Sequence, residues 1–150
     1  MVRAAGFGLR ILAFEPLPDM DFVREYRVEL VSLNALLARS DFVTLHAPLC
    51  DDTRGMINRK MLGHMKHGSV LINTARSGLV VEKDLLEALE SGHLAGAGLD
   101  VFETEPAIGN PLLELPNVIA SPHLAGIDTQ SVAEMAKHAA QNILDLRRGV

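Results

Sequence analysis

The chain has 150 residues, 48% of them apolar, which is the length of one ordinary domain and enough apolar material for a core. Its net charge of -5, with basic residues scattered along the chain, argues against nucleic acid or an anionic membrane surface as a partner. The apolar stretches are strand-length, far short of the roughly 20 residues that span a bilayer, and the N-terminus lacks the apolar core of a signal peptide. We therefore expect a globular, cytoplasmic protein without nucleic-acid or membrane partners.

Six short apolar runs predict β-strands, and several of them carry Val, Ile and Leu on both faces. Such runs are typical of strands that are buried on both sides in a parallel sheet. The predicted strands extend over residues 10–14, 26–31, 41–45, 69–72, 94–101 and 117–120.

Helical segments alternate with these strands. Ser32 and Asn58 are placed to cap the short helices LNALLARS and RKMLGHM, and EKDLLEALES carries acids in its first turn and meets Gly92 as a stop. A last helix begins near Asp128 and closes with basic residues and Gly149. One face of it is apolar, with residues at i, i+3, i+4 and i+7 spacing: Val132, Met135, Ala136, Ala139, Ile143 and Leu146. This alternation predicts a doubly wound, Rossmann-like α/β domain with a parallel sheet.

The glycine pattern of a dinucleotide-binding turn, GxGxxG between a strand and a helix, is missing from the sequence. Gly6 and Gly8 precede a predicted strand instead of following one, whereas Gly96 and Gly98 lie inside a strand, so we interpret both pairs as turn or packing glycines. In the usual strand order the missing first strand would be central. We therefore expect a fold that is incomplete at its N-terminus, with a gap between the strands 10–14 and 41–45.

The single cysteine and the histidines do not indicate a metal or disulfide site. Cys50 has no partner for an internal disulfide or a CxxC motif, and we interpret it as an ordinary loop thiol. The close pair His64 and His67 lacks carboxylates or thiols at ligand spacing. We expect no bound metal.

Three polar residues follow directly on apolar runs: Arg76 in LINTARSGLV, Glu105 in GLDVFETEP and His123 in VIASPHLAG. In open α/β sheets, ligands bind in the crevice beyond the carboxyl ends of the strands. A guanidinium for a carboxylate, an acid to hold an imidazole and an imidazole to move a proton would make a hydride-transfer site. Each residue by itself also fits an ordinary surface loop, and only the joint pattern favours the functional interpretation.

The sequence from Arg3 to Val150 resembles the coenzyme-binding domain of the D-isomer-specific 2-hydroxyacid dehydrogenases, the group that includes phosphoglycerate dehydrogenase. Five blocks in order carry the resemblance: AAGFGLRILAFEP, ARSDFVTLHAPL, HGSVLINTARSGLV, EALESGHLAGAGLDVFETEP and LPNVIASPHLAG. It implies an oxidoreductase that transfers a hydride between NAD(H) and a D-2-hydroxy acid or 2-oxo acid, with homodimerisation through this domain. Residues 1–150 would then be a partial dinucleotide-binding domain, and the family's substrate-binding domain is absent from them.

The resemblance also assigns catalytic roles. His123 resembles the catalytic acid/base, which exchanges a proton with the substrate oxygen. Glu105 resembles its partner, which fixes the tautomer and favours the imidazolium. Arg76 resembles the residue that binds the substrate carboxylate through paired N–H donors.

Contacts to the cofactor are implied by the same blocks. Glu15, where the family more often has Asp, would accept hydrogen bonds from the adenosine ribose hydroxyls, which favours NAD over NADP. Asp100 resembles the acid that holds the nicotinamide carboxamide. The remaining cofactor-binding candidates are Thr74 and Ala75 beside the nicotinamide, His46 and Pro48 beside the adenosine, Arg76, His123 and Gly126. For Thr74, Ala75, His46 and Pro48, positioning the turn is the alternative interpretation.

Two alternatives to the dehydrogenase remain open at this point. One is an NAD(H)-sensing, protein-binding module of the family's corepressor branch, which keeps the same residues. The other is an inactive, truncated fragment of the dehydrogenase, because the phosphate-binding turn and the second wall of the cleft are both missing from the sequence.

Overall fold

A computed structural model describes residue 4, residues 6–124 and residues 126–148. Within these residues the strands are β1 (Leu12–Ala13), β2 (Glu29–Leu30), β3 (Phe42–Leu45), β4 (Val70–Asn73), β5 (Gly96–Leu99) and β6 (Val118–Ala120). The α-helices are α1 (Met20–Glu25), α2 (Leu33–Arg39), α3 (Arg59–His64), α4 (Glu82–Glu90) and α5 (Thr129–Arg148). Two short 3-10 helices cover Ser77–Leu79 and Pro111–Glu114.

The described strands form two parallel sheets instead of one. β1 pairs with β2, and a four-stranded sheet has the order β3-β4-β5-β6. No strand hydrogen bond joins the two sheets within the described residues. The break falls between β1 and β3, where the sequence predicts a gap, and the strand-helix alternation confirms the predicted parallel, Rossmann-like α/β fold.

The core lies between one face of the four-stranded sheet and three helices. Val43, Leu71 and Ala97 point from neighbouring strands into the same buried cluster, which Leu62 of α3 and Leu85 of α4 complete. Burying a leucine side chain stabilises the fold by about 1.5–3 kcal/mol. Helices α2, α3 and α4 contact one another in turn along this face. The connections through α3 and α4 step in the same direction along β3-β4-β5, and right-handed crossovers of one direction place their helices on the same face.

The opposite face of this sheet is open at β3, β4 and β6, so the expectation of strands buried on both faces is wrong for these three strands and holds for β5. Phe42 is 64% exposed and Ile119 is 80% exposed, and residues alternate between buried and accessible along β3 and β4. The physical reason is the common direction of the crossovers, which leaves no described helix on the second face.

The predicted helix starts at Ser32 and Asn58 are confirmed. The Ser32 hydroxyl accepts a hydrogen bond from the N–H of Ala35 at 3.3 Å, and the Asn58 amide oxygen accepts from Lys60 and Met61. Helix α1 was not predicted. Its cap is Asp19, whose carboxylate accepts the N–H groups of two residues in the first turn.

Both glycine pairs have the structural roles expected for them. Gly8 adopts a positive φ of 69° in a turn, which favours glycine. Gly96 lies in β5, and a Cβ atom there would come within 2.8 Å of the Asn117 carbonyl oxygen. Neither pair lies between a strand and a helix N-terminus.

Helix α5 begins where the sequence predicts, one residue after Asp128, whose carboxylate accepts the N–H of Ser131 at 2.9 Å. Its apolar face is in solvent: Met135, Ile143 and Leu146 are all exposed. Gly149, the predicted stop, lies outside the described residues. No described helix is long and apolar enough to cross a membrane.

Candidate active site

The predicted site residues lie in loops at the carboxyl ends of the strands. His46 and Pro48 follow β3, Thr74, Ala75 and Arg76 follow β4, Asp100 and Glu105 follow β5, and His123 and Gly126 follow β6. Because β3 to β6 are parallel and adjacent, these loops emerge at the same edge of one sheet. Glu15 follows β1 and therefore belongs to the edge of the separate two-stranded sheet.

Asn73 shapes the loop that carries Arg76. Its side chain is buried, and its amide donates to the carbonyl of Arg76 at 2.9 Å while its oxygen accepts the N–H of Ala75 at 3.1 Å. The Arg76 guanidinium is exposed and donates to the carbonyl of Ala75 at 2.7 Å. It forms no ion pair with any described residue, so its charge is available to an anion.

Glu105 and His123 form a hydrogen-bonded pair. Glu105 Oε2 lies 2.8 Å from His123 Nδ1, and Glu105 Oε1 accepts the backbone N–H of Phe102 at 3.1 Å. The hydrogen bond from His123 and, secondarily, that from Phe102 hold the pKa of Glu105 below its usual range. A carboxylate on Nδ1 leaves the proton on that nitrogen and frees Nε2 of the same ring for proton exchange.

A cavity of about 230 Å³ brings the three predicted catalytic residues together. Arg76, Glu105 and His123 all line it, with Ser77, Val101, Phe102 and Glu103 completing the wall. A second cavity of about 510 Å³ adjoins the same pair and is mostly apolar, with Pro106, Ile108 and Leu113 in its lining. The site thus offers a cation, an acid-imidazole pair and an apolar neighbourhood.

Asp100 is 2% exposed at the carboxyl end of β5. Its Oδ1 accepts the Ser121 hydroxyl at 2.5 Å and the backbone N–H of Leu124 at 2.8 Å, so this carboxylate is bonded to the loop that carries His123. The charge of a buried carboxylate is tolerated because donors surround it.

The other cofactor candidates are exposed or half-buried. Glu15 accepts the backbone N–H of Leu17 at 3.1 Å, and His46 Nε2 lies 3.0 Å from the hydroxyl of Thr44. The carbonyl of Pro48 accepts the Thr53 hydroxyl at 2.6 Å, a contact that shapes the turn. Thr74, Ala75 and Gly126 lie in the loops after β4 and β6.

Sequence reasoning missed Asn73 and Ser121, the two residues that hold the Arg76 and His123 loops. Both stand next to a predicted strand end, and Asn73 interrupts the apolar run VLI. A polar residue directly after a predicted strand is the sequence feature that could have indicated both. Among the described residues, no cluster of three or more metal-binding side chains is found.

Comparison with known proteins gives one family. Residues 1–125 match the family described as D-isomer specific 2-hydroxyacid dehydrogenase, NAD binding domain. The chain is 45% identical over 148 residues to a glyoxylate reductase of Korarchaeum cryptofilum and 38% identical over 153 residues to a D-3-phosphoglycerate dehydrogenase of Bacillus subtilis. These alignments cover 98% and 99% of the chain.

A solved structure agrees with these relatives. The D-lactate dehydrogenase of Aquifex aeolicus, complexed with NAD and lactic acid, superposes with a TM-score of 0.87 and 31% identity, over 99% of this chain and 49% of that one. The chain spans 45% of the length of the glyoxylate reductase and 28% of that of the phosphoglycerate dehydrogenase.

Proposed function

Because this chain belongs to the D-isomer-specific 2-hydroxyacid dehydrogenases, whose NAD binding domain it matches, we propose that its site transfers a hydride between NAD(H) and a D-2-hydroxy acid or 2-oxo acid. The observation that carries the proposal is the shared cavity of Arg76, Glu105 and His123 at the carboxyl edge of a parallel sheet. In this proposal, residues 1–150 form part of the dinucleotide-binding domain.

Arg76 anchors the substrate in this proposal. Its guanidinium is exposed in the cavity and has no described acidic partner, so a substrate carboxylate would take the two parallel N–H donors. The Asn73 hydrogen bonds to the Arg76 carbonyl and the Ala75 N–H hold the backbone from which the Arg76 side chain projects. Binding the carboxylate orients the neighbouring carbonyl towards His123, which lines the same cavity.

His123 and Glu105 move the proton. In the reduction, the oxygen of the 2-oxo acid becomes negative as the carbon accepts the hydride, and an imidazolium at His123 delivers a proton to it from Nε2. Glu105 keeps Nδ1 protonated throughout and compensates the positive charge of the ring. In the reverse direction the neutral ring removes the proton from the hydroxyl.

The cofactor of this reaction is NAD, which supplies or accepts the hydride when bound. The chain's residues fit its two ends: the exposed carboxylate of Glu15 is an acceptor for ribose hydroxyls, and the loops 74–76 and 121–124 offer backbone groups beside the cavity. The sequence has no GxGxxG turn to hold a pyrophosphate, so the proposal assigns no phosphate contact to these residues.

The experiment that tests this function follows NADH oxidation by the purified chain with pyruvate, and identifies the product on a chiral column. We expect slow turnover to the D-hydroxy acid (for pyruvate, D-lactate), abolished by His123→Gln and unaffected by the matched control His138→Gln on exposed α5. Equal rates for the chain and its His123→Gln variant, or an L-product, would contradict the proposal. A rate at the level of ordinary dehydrogenases would contradict the expectation that the phosphate-binding turn and the second wall of the cleft are needed for full activity.

The predicted homodimer remains a proposal, which analytical ultracentrifugation of the same sample tests. A single sedimenting species at the monomer mass would contradict it. The corepressor-type interpretation stays an untested prediction.

A further inference from the structure

One buried carboxylate holds both ends of the turn that carries His123. Asp100 Oδ1 accepts the Ser121 hydroxyl at 2.5 Å on one side of the turn and the Leu124 N–H at 2.8 Å on the other. The Ser121 N–H also donates to the Leu99 carbonyl at 2.9 Å, so the β5-β6 hydrogen bonding continues to the first residue of the turn. The turn is therefore anchored to β5 at each end.

The residue between these anchors has an unusual backbone. His123 adopts a φ of 58°, in the left-handed region that L side chains rarely enter. Such a conformation persists where surrounding contacts determine it. Pro122, the residue before His123, has a φ that its own ring restricts. The two hydrogen bonds to Asp100 close the turn around Pro122 and His123.

The direction of the His123 imidazole depends on this backbone conformation, because the position of its hydrogen-bond partner, Glu105, is fixed by a separate contact. Glu105 is tied to the chain directly after β5 by the Phe102 N–H at 3.1 Å, so its second oxygen has a set position. His123 Nδ1 reaches that oxygen at 2.8 Å from the left-handed turn. Asp100 thus holds the turn on either side of His123, and Glu105 binds its ring.

We propose that Asp100 and Ser121 are positioning residues for the acid/base, with the Ser121 hydroxyl on Asp100 holding His123 in the left-handed turn that pairs Nδ1 with Glu105. The role rests on the proposed function and is additional to the nicotinamide contact expected of Asp100. Neither residue exchanges a proton with the substrate; both decide which ring nitrogen is available for that exchange.

The test reads the tautomer of the neutral His123 ring directly by NMR of the purified chain with ¹⁵N-labelled histidine. His123→Gln identifies the signal. We expect the Nδ1–H form in the chain, a shift towards the Nε2–H form of free histidine in Ser121→Ala, and retention of the Nδ1–H form in Ser121→Thr, which restores the hydroxyl. The matched control is Ser131→Ala, which removes a hydroxyl at the same 2.5 Å from the Asp128 carboxylate.

An unchanged Nδ1–H signal in Ser121→Ala, or the same change in Ser131→Ala, would overturn the proposal. A purely structural role of Ser121 would lower the unfolding midpoint without changing the tautomer, and that result also counts against it. The measurement needs no NAD and no turnover, so a chain that fails to oxidise NADH contradicts the proposed function and leaves this inference to be decided by the spectrum. Where turnover is measurable, Ser121→Ala should lower kcat by about 10- to 100-fold with little change in KM.

Discussion

Glu105 Oε2 and His123 Nδ1 lie 2.8 Å apart, although the two residues are 18 positions apart in the chain. They reach each other because β5 and β6 are adjacent parallel strands whose following loops emerge at one edge. Both side chains are partly exposed, so water screens the attraction and the pair contributes little to folding stability. Its consequence is the orientation of the ring, with Nδ1 held by Glu105.

The first prediction concerns the pKa of Glu105, which the His123 hydrogen bond lowers most and the Phe102 N–H lowers further. A lowered pKa means that the ionised form is favoured by folding. The stabilisation of the fold by the ionised Glu105 carboxylate is fully present above the ordinary pKa of about 4.3 and is lost as the pH falls through the lowered pKa. The Glu105–His123 bond should therefore survive mild acid.

His123→Gln should raise the pKa of Glu105 towards its ordinary range, since the largest lowering cause is removed. A ¹³C-detected titration of the glutamate carboxyls measures it, with His138→Gln as the control on exposed α5. If Glu105 titrates at the same pH in the chain and in His123→Gln, the hydrogen bond does not set its ionisation.

The second prediction concerns Arg76 as the carboxylate anchor. Arg76→Lys keeps the charge but loses the paired N–H donors, so KM for a 2-oxo acid should rise about 10- to 100-fold, equivalent to roughly 1.5–3 kcal/mol. Initial rates over a range of substrate concentration give KM and kcat separately. Arg24→Lys, in an exposed ion pair with Asp21, is the control and should leave both unchanged. A fall in kcat alone would assign Arg76 another role.

The third prediction concerns cofactor choice. Glu15→Gln removes the negative charge that would repel a 2′-phosphate, so the preference for NADH over NADPH should fall by about tenfold or more. Fluorescence titration of the two cofactors measures the ratio of their dissociation constants. Glu25→Gln, in an exposed helix position, serves as the control. An unchanged ratio would remove Glu15 from the site.

The fourth prediction concerns the packing of β5 on β6. Gly96→Ala would place a Cβ atom 2.8 Å from the Asn117 carbonyl oxygen, which accepts the Ala97 N–H, so the strands must separate. We expect a loss of about 1–3 kcal/mol in the free energy of unfolding. The matched control is Gly98→Ala, whose Cβ atom meets only Ile72 at 3.7 Å, an ordinary contact. Equal urea midpoints for the two variants would contradict the close approach.

Local signals in the sequence located most of the elements. Ser32 and Asn58 cap helices where their spacing predicts them, because a cap depends on the first turn alone. The predicted strand over 26–31 is reduced to Glu29–Leu30, since pairing with the equally short β1 limits it. Helix α1 was not predicted, because it buries no residue and its sequence has no sustained apolar repeat at helical spacing.

The sequence alone also singled out Arg76, Glu105 and His123 as candidates, since each follows an apolar run and carries a chemical group that hydride transfer needs. It could not show that they line one cavity, because that depends on the order of the strands. Nor could it show that Asn73 and Ser121 hold the two loops. Those contacts join residues to backbone groups that only the folded turn presents.

By itself the sequence determined the parallel α/β class, the helix starts at Ser32 and Asn58 and the chemical groups of the candidate site, because these depend on short-range spacing and residue type. The tertiary structure alone decided that one face of the sheet is open and that the apolar face of α5 is in solvent. It also decided that Asp100 anchors the turn of His123. Burial and hydrogen-bond partners are properties of the neighbours that folding brings together, and a periodic pattern records only a residue's capacity for them.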